Sequence, residues 1–171
     1  MDKSDLTHFS AAGRARMVDV SAKAESHRAA TASGTLRILP GTLERIRAGT
    51  LAKGNVLAVA DVAAVLAAKR TSDLIPMCHP VPLSGVEVEF GEILVPDAEG
   101  RVGLGTRVSA RCTGSTGVEM EALCAAAAAL LTIYDMCKSI DRGMRLENLQ
   151  LEEKHGGKSG SWRRGAREAL S

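Results

Sequence analysis

VEVEFGEILVPDAEGRVGLGTRVSARC, residues 86–112, decides the fold. Val86, Val88 and Phe90 alternate with Glu87 and Glu89; after the turn Asp97-Ala98-Glu99-Gly100, Val102, Leu104, Thr106, Val108, Ala110 and Cys112 alternate with Gly103, Gly105, Arg107, Ser109 and Arg111. A period of two with one apolar and one charged face predicts an antiparallel hairpin that turns one side to a core and the other to water. The next segment supplies the cover for that core side. Thr116-Gly-Val-Glu119 has the spacing of a capping box, and it opens a helix through Met120, Leu123, Cys124, Ala127, Leu131, Tyr134 and Cys137 to about Arg142, with Gly143 as its C-terminal cap.

Upstream, Thr31, Ser33, Thr35 and Arg37 alternate against Ala30, Ala32, Leu36 and Ile38, a strand over Ala29–Ile38 that Pro40 and Gly41 close. Thr42 is placed to cap a short helix that Gly49 ends, and Asn55 to cap a longer one reaching Arg70 with Val56, Val59, Ala60, Ala63 and Ala67 on its apolar face. PMCHPVP, with three prolines in seven residues, reads as a rigid loop. Downstream, Met144, Leu146, Leu149 and Leu151 predict a last strand with a slip near Asn148, followed by a glycine-rich basic tail from Lys154. Met17–Val20 reads as a short strand, and SDLTHFSAAGRAR before it shows no period and reads as a mobile arm. The order strand, helix, strand, strand, helix, strand is that of the ferredoxin-like split βαβ, an α+β fold with an antiparallel sheet backed by two main helices. It is expected over residues 17–158, between an arm (1–16) and a tail (159–171).

Composition excludes several classes. The 171 residues carry 22 Lys plus Arg against 20 Asp plus Glu, a net charge of +2 that is too weak for a nucleic-acid backbone. Phe9, Phe90, Tyr134 and Trp162 are the only aromatic residues, so there is little on which bases could stack. Cys78, Cys112, Cys124 and Cys137 form no CxxC and have no histidine spaced for zinc, which argues against both a metal site and a disulfide framework. Asp2, Lys3 and Asp5 precede any apolar stretch, and Ala122–Leu131 is too short to span a bilayer, so a cytoplasmic protein with no membrane is expected. Small side chains bury little area per residue, and burial between subunits is expected to add to it.

Four polar clusters stand out beyond what the elements need. Asp135 and Lys138, three apart on a helix, share a face and can simply be a surface ion pair. Glu119 is explained by a capping box and Glu121 by the helix dipole, before any substrate is invoked. His79 can be a turn residue, yet its proline frame is a stiff mount for a group that titrates near neutrality. Lys53-Gly54 ahead of a helix can be solvated or can meet a phosphate. HGGKSG lacks the first glycine of a Walker A motif and no helix follows it, which leaves Lys154 and Lys158 as a basic loop able to wrap an anion.

MVDVSAKAESHRAATASG, KGNVLAVADVAAVLAAKRTSDLIPMCHPVPLSGVEVEF, TGVEMEAL, LTIYDMCKSIDRGM and EEKHGGKSG together resemble the MoaC family of cyclic pyranopterin monophosphate synthases, from about Leu6 to Trp162. The resemblance implies a ferredoxin-like subunit of a homohexamer, a trimer of dimers with sites at the dimer interface. It also implies a lyase of molybdenum cofactor (molybdopterin) biosynthesis, acting on a cyclised dihydroguanosine triphosphate. By matched motif, Met77, Cys78, His79, Met120 and Glu121 bind substrate, Asp135 is the acid/base aspartate, and Lys53 and Lys138 are catalytic lysines. Glu119, Arg28, Lys69, Lys154 and Lys158 match polar positions of the same pocket. Leu51-Ala52 depart from the more basic or imidazole residues that relatives often carry before Lys53. No protein-bound metal or cofactor is implied, though Mg2+ can accompany the phosphates.

The residue chemistry runs the same way. A triphosphate needs lysine and arginine, and guanine-derived N–H groups need a carboxylate such as Glu121. Ring opening, rebuilding and cyclic phosphate closure move protons, work suited to Asp135, Lys138, Lys53 and His79. A regulatory module of this topology would not need such a cluster, and an RNA-recognition module would need aromatic residues on the strand Arg101–Cys112, which has none. Glu121 and Asp135 are fourteen residues apart on one predicted helix, about 21 Å of rise. A site composed across a two-fold interface is therefore expected.

Overall fold

The computed structural model describes residues 17–165, so the expected arm and the last residues of the tail lie outside the described residues. In chain order the elements are β1 (Ser26–Ile38), α1 (Pro40–Arg47), α2 (Val56–Lys69), α3 (Thr71–Leu74), β2 (Leu83–Ile93), β3 (Val102–Gly114), α4 (Glu119–Cys137), β4 (Arg145–His155) and β5 (Trp162–Arg163). The sheet runs β2-β3-β1-β4-β5, and every pairing is antiparallel. Its first four strands have the ferredoxin-like order, and β5 adds a short edge from the segment assigned to the tail.

The two-residue period works as predicted. Ala30, Ala32, Leu36 and Ile38 of β1 and Leu104, Val108, Ala110 and Cys112 of β3 are buried beneath the helices. The opposite face carries ion pairs between strands, Arg111 with Glu87 and Arg107 with Glu153. Beneath α4 the sheet needs a glycine: a Cβ on Gly34 would come within 2.7 Å of Leu130 Cδ1, so the helix rests on bare backbone there. The predicted slip is present, with Asn148 at φ 55° and the β1–β4 register shifting between Ser33 and Thr35.

Local details differ from the sequence reading. On α2 the buried face is Val56, Ala60, Ala64 and Ala68, while Val59, Val62 and Leu66 lie exposed. An alanine row at four-residue spacing lets α2 approach α4 closely, and that packing outweighs the burial of the bulkier residues. No capping box forms at Thr116: Val118 is the N-cap, and Glu119 is already the first helical residue. The Glu119 carboxyl lies over Gly117, in space that a Cβ there would fill. α4 stops at Cys137, with Lys138 as C-cap and turns through residue 140, short of the predicted Arg142 and Gly143. Thr42 does not cap α1, because Pro40 starts the helix at its first position. The capping acceptor comes instead from Asp141, whose buried carboxylate accepts the Leu39 N–H at 2.8 Å and the Arg101 guanidinium at 3.1 Å. Asn55 does cap α2, accepting the Ala58 N–H at 3.1 Å. Met17–Val20 is irregular chain and forms no strand.

α4 is long and apolar enough to cross a membrane by length and composition alone. Its Ala122, Ala125, Ala126, Ala129, Leu130 and Ile133 are nevertheless buried against the sheet and α2, the position of a core helix.

Candidate functional site

Two polar centres flank α4, one at each end. At the N-terminal end the PMCHPVP loop brings Met77, Cys78 and His79 against Met120 and Glu121 around a cavity of about 260 Å³. Thr116, Gly117 and Glu119 form the wall between this cavity and a second of about 930 Å³, which is lined by Arg28, Lys154, Gly156, Gly157 and Lys158. Nine of the predicted substrate-binding residues thus border one two-chambered cleft. Lys69, at the exposed end of α2, lines neither chamber.

The physical character of this cleft follows from its neighbours. Only 4% of the Glu121 surface is exposed, and burial pushes its carboxyl pKa up, with Glu119 adding to the shift and the residue's own backbone N–H opposing it. Burial likewise raises the thiol pKa of Cys78 and of Cys124, so neither is set up as a thiolate nucleophile. In the larger chamber, the Arg28 guanidinium donates to the carbonyls of Gly114 (3.2 Å) and Ser115 (3.3 Å), which fixes the rim. Lys154 donates to the Ser159 hydroxyl. Gly156 has φ 89°, and a Cβ there would meet the His27 carbonyl oxygen at 2.1 Å, so only glycine lets the loop turn so close to β1.

At the C-terminal end Asp135 accepts from Lys138 Nζ at 2.5 Å and from Lys53 Nζ at 3.0 Å. Lys53 also donates to the Asp135 backbone carbonyl at 2.8 Å, satisfying an acceptor of the last helical turn. The hydrogen bonds from Lys138 and then Lys53 hold the Asp135 pKa down at about 2. This aspartate is anionic at neutral pH, an acceptor and an anchor for two ammonium groups. Among the described residues no group of three or more His, Cys, Asp or Glu is placed to hold a metal ion.

The residue reading did not single out the segment before β1. Val18, Val20 and Lys23 line the smaller chamber, and Ala22–Glu25 the larger, so this strap borders both. Its signal in the sequence is one lysine in an aperiodic run, which is too little to find it.

A cleft lined by basic and acidic side chains and a Lys53–Asp135–Lys138 cluster on one ferredoxin-like frame have the make-up of a small α+β enzyme. The MoaC family model matches residues 17–157. A cyclic pyranopterin monophosphate synthase of Desulfitobacterium hafniense is 56% identical over 159 residues, 91% of this chain and 92% of the relative. Proteins of the same name from Novosphingobium aromaticivorans (52%, 94% of this chain, 98% of the relative) and Listeria monocytogenes (51%, 95% and 98%) are similar to it at nearly full length. The chain belongs to the MoaC family.

Proposed function

We infer that this chain converts (8S)-3′,8-cyclo-7,8-dihydroguanosine 5′-triphosphate to cyclic pyranopterin monophosphate and diphosphate, a lyase reaction of molybdenum cofactor biosynthesis. One observation carries the reading: the segment that matches the family, residues 17–157, supplies the Lys53–Asp135–Lys138 cluster and all of the cleft lining except Lys158 and Ser159.

The guanine-derived ring belongs in the smaller chamber. Its N–H groups donate to Glu121, and such donors favour the carboxylate that burial alone disfavours, so binding lowers the Glu121 pKa. The triphosphate belongs with Arg28, Lys154 and Lys158 in the larger chamber. Hydrolysis opens the ring and the pyranopterin is rebuilt. A sugar hydroxyl then attacks the α-phosphorus, the bond to the bridging oxygen of the β-phosphate breaks, and diphosphate leaves. His79, Lys53 and Lys138 move the protons. Asp135 holds the two lysines and takes a proton once substrate phosphates compete for them. Any Mg2+ would arrive with the phosphates.

The catalytic unit spans 17–158, and a homohexamer made of dimers is proposed, with Glu121 of one subunit opposite Asp135 of another. Two observations support an assembly: the half-sites sit at opposite ends of α4, and Val59, Val62, Leu66 and Leu131 are exposed on the helical layer. Four free cysteines fit a cytoplasmic, reducing setting. The test is purified protein with the cyclised nucleotide, reading diphosphate. Stoichiometric release with formation of the cyclic monophosphate is expected, and binding without turnover would overturn the reading in favour of a regulatory module.

A further inference from the structure

We propose that the strap Met17–Glu25 is a working part of the site: the Val18 carbonyl holds His79 as the Nε2–H tautomer, which makes Nδ1 the nitrogen that exchanges a proton with substrate. The inference deepens the enzymatic reading and rests on it for the proton step alone. His79 Nε2 lies 2.7 Å from the Val18 carbonyl oxygen. A carbonyl has no proton to give, so the bond exists only when Nε2 donates, and a neutral ring must then leave Nδ1 unprotonated. Nδ1 has no hydrogen-bond partner among the described residues.

The strap is shaped to hold that carbonyl in place. Val18 and Val20 are half-buried and line the smaller chamber with His79, while Met17 and Asp19 point to solvent. Beyond them the Asp19 carboxylate accepts the Ser21 N–H at 2.9 Å and the Val20 carbonyl accepts the Lys23 N–H at 3.0 Å, a tight turn that carries the chain from one chamber to the other. One hydrogen bond thus couples the His79 ring to the segment that walls both chambers. Proline on either side of the Cys78-His79 pair stiffens the other partner.

Three measurements on the full-length protein test this. Nitrogen NMR of the ring at a pH where it is neutral should find Nε2 protonated; a protonated Nδ1 overturns the proposal. His79→Gln places an amide N–H where Nε2 stands, whereas His79→Asn reaches only as far as Nδ1. Tryptic cleavage after Lys23 should therefore stay at the wild-type rate in His79→Gln and accelerate several-fold in His79→Asn; equal rates in the two variants overturn it. With the cyclised nucleotide both variants should lose about 100-fold or more in kcat, and KM should rise in His79→Asn only. Wild-type kcat in His79→Gln overturns the role of Nδ1. A wild-type protein that releases no diphosphate overturns the enzymatic reading and the proton step with it, while the first two measurements decide the tautomer and the strap by themselves.

Discussion

Glu121 and Asp135 are both carboxylates on α4, and their surroundings drive them in opposite directions. Glu121, in the first turn, has the favourable end of the helix dipole beside it, yet burial dominates and its pKa rises. Asp135, in the last turn, sits at the unfavourable end, with 56% of its side chain exposed, yet two lysines hold it at about 2. The helix dipole is therefore the weaker influence at both ends. One end of α4 carries a buried carboxyl whose charged form burial disfavours, and the other a carboxylate already saturated by two lysine donors.

The largest expected effect lies at the saturated end. Asp135→Asn keeps the shape and one acceptor but cannot take a proton, and diphosphate release should fall by roughly 10²–10⁴-fold with substrate binding retained; unchanged turnover would make the cluster a surface ion pair and erase the functional contrast. Next comes the anchor behind that end. The buried Asp141 ties α1 and Arg101 to the turn after α4, so Asp141→Ala should cost about 3 kcal/mol in denaturant unfolding, because it leaves the largely buried Arg101 guanidinium only its longer 3.9 Å pair with Glu99.

The two ends can then be tested against each other. Mixing Glu121→Ala with Asp135→Ala subunits under exchange should restore about a quarter of wild-type activity, since half the dimers are mixed and each mixed dimer keeps one intact site. Activity that stays at the level of the single variants despite demonstrated exchange would put both residues in one site of one chain. A smaller effect concerns charge. Lys53→Ala should weaken triphosphate binding more than Cys78→Ser does, and added salt should narrow the difference. Wild-type affinity of the Lys53 variant at low salt would leave that lysine only its bonds to the Asp135 carboxylate and carbonyl.

The smallest effect is on stability against pH, with opposite signs at the two ends. The folded pKa of Glu121 lies above its ordinary 4.5, so the stability it contributes is present below that value and is lost as pH rises through the folded one. The Asp135 contribution is present above 3.8 and is lost as pH falls toward about 2. Melting temperatures compared with Glu121→Gln should show the wild type losing ground as pH rises, and compared with Asp135→Asn losing ground as pH falls. Two curves of the same slope would mean that one of the two environments differs from the one described.

How much of this was legible in the chain varies by residue. The hairpin, the Asn148 slip and the Asn55 cap depend on neighbours within a few residues, and alternation or one side-chain acceptor reveals them. The spacing at Thr116 does not become a capping box because Gly117-Val118 is compatible with several backbone paths, and the packing of Glu119 over Gly117 selects one of them. The Met77-Cys78-His79 loop and Glu121 are legible as polar groups beyond what the elements need, and the family resemblance adds Met120 and ties them together.

By itself the sequence determined the period of each strand, the helices, the rigid proline loop and the family, because these are written in spacing and local stereochemistry. Tertiary structure alone decided which face of α2 is buried, that Asp141 caps a helix a hundred residues away in sequence, and that Val18 meets His79. It also decided the opposite pKa shifts of Glu121 and Asp135. The physical reason is that desolvation and charge pairing depend on distance in space, and no local pattern in a chain records which remote groups will become neighbours.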